Sequence, residues 1–159
     1  MLYDLEWIAL NTQIPAVLPR GNRSDVLLGK YSTLDDLPYN AVIGTSSVRR
    51  AAFAKSHRPD LVIKLLRGNV ETRMEKVHSG EYDAIILASA GLIRLKYDIS
   101  NYYRFNYNEI IPAPGQGALA VEIRKDNTKL EKLLKKIDNV KLRESIEVER
   151  GILSHIGGG

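Results

Sequence analysis

The chain has 159 residues, 44% hydrophobic and 26% charged, which is enough for one sizeable domain or a smaller one with flanking elements. Lys+Arg 23 against Asp+Glu 19 gives a net charge of +4, which suits an acidic ligand but falls short of a nucleic-acid binder's dense basic footprint. The absence of cysteine excludes a disulfide framework, a thiolate metal site and a thiol nucleophile among these residues.

No apolar run approaches the roughly 18 residues that span a bilayer, and residues 1–13 lack the basic start and cleavage site of a signal peptide. The expected location is therefore cytoplasmic, with neither a membrane nor a nucleic acid as partner. In chain order, Ala16 to Leu18 and Asp25 to Gly29 read as short strands separated by the turn Pro19-Arg20-Gly21-Asn22. Thr33 to Leu37 reads as one helical turn closed by Pro38. A regular alternation follows: strand Asn40 to Gly44, helix Ser46 to His57, strand Leu61 to Leu66, helix Val70 to Ser79, strand Asp83 to Ala88 and helix Ser89 to Leu95. That spacing predicts βαβ units and a mainly parallel sheet, with the apolar Ala84 to Ala88 as its buried central strand.

Beyond Lys96 the pattern loosens into the Tyr- and Asn-rich stretch Tyr97 to Asn108. A strand is expected at Glu109 to Ile111, an irregular connection and hinge at Pro112 to Gly117, and a strand at Ala118 to Arg124. Leu130, Leu133, Leu134 and Ile137 fall at i, i+3, i+4 and i+7, an amphipathic stripe on a charged helix. A last helix is expected over about Lys141 to His155.

Two strand-to-helix junctions carry most of the functional signal: Thr45-Ser46-Ser47-Val48-Arg49-Arg50 and Leu66-Arg67-Gly68-Asn69-Val70-Glu71-Thr72-Arg73. Cations near a helix N-terminus oppose the helix dipole unless an anion lies between them and the free N–H groups. The carboxyl ends of parallel strands are also where α/β folds hold ligands. Guanidinium forks bind carboxylate and phosphate through two parallel bonds, so Arg49, Arg50, Arg67, Arg73 and Arg94 point to a small polyanion. Thr45, Ser46 and Ser47 either donate to that ligand or cap the helix. Gly68 either admits close backbone approach or is an ordinary turn glycine.

The remaining features point to structure. His57, His78 and His155 lack metal-ligand spacing, so no metal is expected, and no P-loop, dinucleotide fingerprint or nucleophile elbow is present. Lys125, Lys129, Lys132, Lys135 and Lys136 read as the wet face of a helix. The tyrosines of Tyr97 to Tyr107 read as loop packing, with stacking on an aromatic ligand as the alternative.

The strings from Val42 to Arg50, Arg58 to Leu61, Leu66 to Arg73, Gly80 to Ala88, Ala90 to Leu95 and Pro112 to Ala118 resemble, in order and spacing, the porphobilinogen deaminases, also called hydroxymethylbilane synthases. The resemblance implies tetrapyrrole (heme) biosynthesis: condensation of porphobilinogen units into hydroxymethylbilane, with ammonia released at each step. It implies a dipyrromethane cofactor whose acidic side chains are held by Ser47, Arg49, Arg50, Arg67, Gly68, Asn69, Arg73 and Arg94. It implies an α/β, periplasmic-binding-protein-like (type II) lobe with a mainly parallel mixed sheet and C-terminal helices.

By that resemblance, residues 14–117 form a second, polycarboxylate-binding domain after a remnant at 1–13. Residues 118–139 return to a first domain, and 140–159 begin the first helix of a third. The family's His-Ser-x-Lys-Asp segment would fall near the start, where only Asp4 corresponds and Tyr3 replaces the lysine, so no catalytic residue is assigned. The family's cofactor-bearing cysteine is absent, so attachment through a thioether is not expected. The expectation is an incomplete, inactive portion of the enzyme. A non-catalytic oligopyrrole or polyanion module, or half of a split enzyme paired with a separate first domain or with itself, stays open.

Overall fold

The computed structural model describes residues 11–157, so Asp4 and most of the expected 1–13 segment lie outside the described residues. In chain order the elements are β1 (Thr12–Leu18), β2 (Asp25–Gly29), β3 (Val42–Gly44), α1 (Val48–His57), β4 (Val62–Lys64), α2 (Val70–His78), β5 (Ala84–Ala88), α3 (Ser89–Arg94), β6 (Tyr103–Arg104), β7 (Leu119–Arg124), α4 (Thr128–Leu134), a 3-10 turn (Lys135–Ile137) and α5 (Val140–His155). They fall into two compact units: residues 22–113, and the residues up to 21 together with those from 114 onward.

The 22–113 unit is an α/β layer structure on a five-stranded mixed sheet of order β4-β3-β5-β2-β6. β3 pairs parallel with both β4 and β5, whereas β2 runs antiparallel to both β5 and β6. The chain steps from β3 out to β4 and returns across β3 to β5, so right-handed crossovers place α1 and α2 on opposite faces. The cores follow that division. Phe53 and Ala54 of α1 pack with Leu27, Leu34, Leu37, Ile43 and Ile86 on one face. Met74 of α2 and Leu92 of α3 pack with Val26, Leu28, Ile85 and Leu87 on the other. β5 is central and buried through Leu87, as its unbroken apolar run requires.

Three local expectations are corrected. Glu109 to Ile111 is a turn, not a strand. Asn106 Oδ1 accepts from the backbone N of Asn108 and Glu109 at 2.9 and 3.1 Å, which tightens the chain and drops Ile110 into the core. The edge strand is instead β6, within the loosened Tyr-rich stretch, where Tyr103 pairs with Leu27 and Arg104 with Val26. Thr33 to Leu37 forms bends and a turn rather than helix, and Leu34 and Leu37 serve as plugs for the core.

The other unit pairs β1 antiparallel with β7 over Thr12↔Arg124 to Leu18↔Leu119. The compact α/β unit is therefore shorter than the expected 14–117 span, because residues 14–18 are held by β7. Asp138 Oδ1 accepts from Val17 N at 2.7 Å, and its carboxylate also binds Arg143 of α5. Along the expected stripe, Leu130, Leu133 and Ile137 remain exposed. Lys125, Lys129, Lys132, Lys135 and Lys136 are exposed as expected, with Lys135 paired to Glu131 across one turn. No helix among the described residues is long and apolar enough to cross a membrane.

Candidate functional site

Both arginine-bearing junctions open at one edge of the sheet. β3, β4 and β5 are parallel, so the segments leaving their carboxyl ends emerge together. β2 is antiparallel to β5 with Asp25 opposite Ala88, which brings Asp25 to the same edge.

The helix starts are held by their own side chains. Ser47 is the N-cap of α1, its Oγ accepting from Arg50 N at 3.4 Å, and Asn69 caps α2 by accepting from Thr72 N at 2.8 Å. Thr45 is buried and accepts from Ser47 N through Oγ1 at 3.1 Å. Gly68 adopts φ +118°, and a Cβ there would come within 2.8 Å of Thr72 Cγ2, so the turn into α2 requires glycine.

The anion that offsets the dipole penalty at α1 belongs to the protein. Asp25, whose side chain has no exposed area, accepts from Arg49 Nη2 through Oδ2 at 2.6 Å. Its Oδ1 accepts from Arg50 Nε at 3.0 Å and from Arg50 Nη2 at 2.7 Å. Arg49 Nη1 donates to the carbonyl of Ile111 at 2.8 Å. A buried carboxylate is costly unless paired and hydrogen-bonded, and both conditions are met here. Burial lowers the Arg50 pKa, and Arg49 and Arg73 lower it further, while Asp25 opposes the shift; the guanidinium stays charged at neutral pH.

Arg49 and Arg50 are thus brought together over Asp25, and the field of Arg73 reaches Arg50. Arg73 is half-buried and donates through Nε to the carbonyl of Gly68 at 2.7 Å. Arg67 precedes α2 rather than lying in its first turn. It is exposed, and its guanidinium has no hydrogen bond or ion pair with a described residue. Arg94 is the last residue of α3 and is exposed. Exposed apolar side chains accompany the arginines: Val48 beside Arg49, Leu65 before Arg67, and Ile111, whose carbonyl holds Arg49. The edge combines cations with apolar surface, which suits an acidic ligand with apolar parts.

Sequence reasoning passed over Asp25. The available signal was an acidic residue opening an otherwise apolar strand, Asp25-Val26-Leu27-Leu28-Gly29, where a buried carboxylate demands a cationic partner. The tyrosines pack their loop. Tyr103 lies edge-on to Phe105, Tyr97 and Tyr102 cover the core, and Tyr107 lies under the Arg23 guanidinium at 5.1 Å. His57, His78 and His155 are the last residues of α1, α2 and α5, where the dipole favours a cation. A cavity of about 390 Å³ lies at the opposite edge of the sheet, lined by Gly29, Lys30, His78, Gly80, Tyr82 and Asp83 among others, away from every arginine discussed above.

The chain is similar in sequence to known proteins. Residues 4–132 match the family model for "Porphobilinogen deaminase, dipyromethane cofactor binding domain". A probable porphobilinogen deaminase of Ignicoccus hospitalis is 46% identical over 149 residues, covering 92% of this chain and 48% of the relative. The porphobilinogen deaminase of Rickettsia typhi is 45% identical over 151 residues, covering 94% and 50%. The chain therefore spans about half the length of the curated relatives it matches. Among solved structures, an ancestral cationic amino acid solute-binding protein aligns at TM-score 0.49 and 15% identity, over 99% of this chain and 64% of that one. On the family match and the 46% and 45% identities to the two deaminases, the chain belongs to the porphobilinogen deaminase family.

Proposed function

We propose that these residues form the polycarboxylate-holding part of a porphobilinogen deaminase (hydroxymethylbilane synthase), gripping the acidic side chains of a dipyrromethane cofactor and of the pyrrole chain built on it. The observation that carries this reading is the cluster Arg49, Arg50 and Arg73 at the carboxyl edge, next to an Arg67 guanidinium with no described protein partner. The four guanidiniums of Arg49, Arg50, Arg67 and Arg73 exceed the negative charges of Asp25 and of Glu71 in the first turn of α2, and leave the edge cationic. The dipyrromethane, when bound, supplies the growing end onto which porphobilinogen condenses.

The donor set fits the cofactor's carboxylates but not its attachment. Arg67 offers an open fork, while the Nε and Nη2 of Arg50 are taken by Asp25 and its Nη1 reaches the Ile86 carbonyl at 3.4 Å; none of the 159 residues is a cysteine that could form a thioether. Ser47 and Asn69 act through the backbone, holding the first turns of α1 and α2 so that Arg49, Arg50 and Arg73 face the edge. Each enclosed arginine–carboxylate contact contributes on the order of 1.5–3 kcal/mol, and an exposed one only about 0–1 kcal/mol. With Arg67 and Arg94 exposed, binding by these 159 residues is weak.

Calorimetric titration with a synthetic dipyrromethane tetracarboxylate tests the reading, alongside an assay of porphobilinogen turnover. The expected result is a dissociation constant weaker than about 1 μM, loss of binding in Arg67→Ala, and no hydroxymethylbilane formed. Unchanged binding in Arg67→Ala would remove the polycarboxylate role, and turnover by the purified chain would contradict its inactivity.

A further inference from the structure

We propose that Asp25 is a positioning residue of the arginine site, its buried carboxylate fixing the Arg49 and Arg50 guanidiniums so that their remaining outward N–H groups meet a ligand carboxylate. The inference rests on the polycarboxylate reading above and names the group that makes that site rigid.

The layering supports it. The Asp25 side chain has no exposed area, whereas those of Arg49 and Arg50 keep 26% and 13%. A ligand arriving at the edge therefore meets the two guanidiniums with Asp25 behind them, and cannot take the carboxylate's place. Asp25 cannot follow them outward either. It is locked in register opposite Ala88, and its carbonyl accepts from Phe105 N at 3.0 Å.

The bonding fixes direction as well as place. Arg50 is gripped by Asp25 through Nε and Nη2 together, with Nη1 reaching the Ile86 carbonyl at 3.4 Å, which sets the plane of its guanidinium. Arg49 is held at both terminal nitrogens, by Asp25 and by the Ile111 carbonyl. Arg49 and Arg50 are adjacent in sequence and repel each other, and Arg73 adds to the repulsion. One negative charge beneath the pair cancels half of it and leaves a net positive charge for the ligand. Without Asp25 the two long side chains would splay into water, and binding would have to order them again.

The test uses the whole chain, Asp25→Asn, a dipyrromethane tetracarboxylate as probe, and sulfate as a second probe that senses charge without shape. In the unsubstituted chain the Arg50 Nε–H resonance is expected to be resolved and slow to exchange, with the tetracarboxylate absent or bound. In Asp25→Asn with an unchanged circular dichroism spectrum, that resonance is expected to vanish. Tetracarboxylate affinity should then fall by about tenfold or more, while sulfate binds no more weakly, since the site gains a positive charge. Equal or tighter tetracarboxylate binding by Asp25→Asn would overturn the proposal and leave the polycarboxylate reading standing. Should Asp25→Asn fail to fold, the unsubstituted chain decides: an Arg50 Nε–H exchanging as fast as that of Arg67 overturns the proposal, and a protected one supports it. If the unsubstituted chain binds no tetracarboxylate, the polycarboxylate reading itself fails, and a protected Arg50 Nε–H then marks a purely structural pair.

Discussion

Arg20 and Glu149, 129 residues apart, meet as two parallel hydrogen bonds, Nη1 to Oε1 at 2.6 Å and Nη2 to Oε2 at 2.8 Å. Arg20 Nε also donates to the Gln116 carbonyl, and Gly115 N donates to Glu149 Oε2, both at 2.8 Å. One carboxylate on α5 thereby holds both the end of β1 and the Pro114 to Gly117 turn. Glu149→Ala removes these bonds and leaves a guanidinium that is only 12% exposed without its fork partner. The expected loss is about 2–3 kcal/mol, read as a lower denaturation midpoint. An unchanged midpoint would show the contact to be energetically idle.

Gly68 and Gly80 both have positive φ, but their surroundings differ. A Cβ on Gly68 would meet Thr72 within 2.8 Å, while one on Gly80 would find open space. Gly80→Ala carries only the left-handed backbone penalty, about 1–2 kcal/mol. Gly68→Ala adds a clash that shifts the start of α2 and with it Arg73. Thermal melts of the two variants should therefore rank Gly68→Ala as the less stable; the reverse order would contradict the packing at this turn.

The sequence pattern made the parallel half of the fold legible. Ser47 and Asn69 stand where N-caps belong, Ala84 to Ala88 is apolar throughout as a central strand must be, and Gly68 precedes a helix start. The antiparallel half was harder to read. β6 is two residues long and is defined by its pairing with β2, which no local periodicity announces. Glu109 to Ile111 carries strand-forming side chains, yet the Asn106 side chain bonds the backbone first and makes a turn. At the site, the arginines stood out by their position after strands. Asp25 did not, because the partners that make a buried carboxylate possible lie 24 and 25 residues away.

Arg58 and Asp60 form a pair that responds to acid. Bonding from the Arg58 guanidinium lowers the Asp60 pKa from 3.8 to about 2. Because the folded value is the lower one, this carboxylate stabilises the fold above about pH 4, and the contribution is lost as pH falls toward 2. Arg58 also bonds the carbonyls of Leu34, Asp35 and Leu37, so the pair steadies the segment before β3. The difference in melting temperature between the unsubstituted chain and Asp60→Asn should therefore shrink steadily between pH 4 and pH 2. A difference independent of pH would exclude Asp60 as the titrating group.

Arg50 and Arg67 should separate stability from binding. Arg50→Ala strips Asp25 of two of its bonds and of one of the two guanidiniums that offset its buried charge, at a cost of about 3 kcal/mol. Arg67→Ala removes an exposed side chain with no described partner and should change stability by no more than about 0.5 kcal/mol. Chemical denaturation of both variants checks this, and equal destabilisation would mean that Arg67 has a structural role.

The most direct test of the account is to map where the acidic ligand sits. Backbone amide shifts of the isotopically labelled chain, followed during titration with dipyrromethane tetracarboxylate, should move at residues 45–50, 66–73 and 89–94 and stay still elsewhere. Shifts confined to the cavity around Lys30, His78 and Gly80, or to the lysines of α4, would place the ligand away from the arginine edge and contradict the assignment.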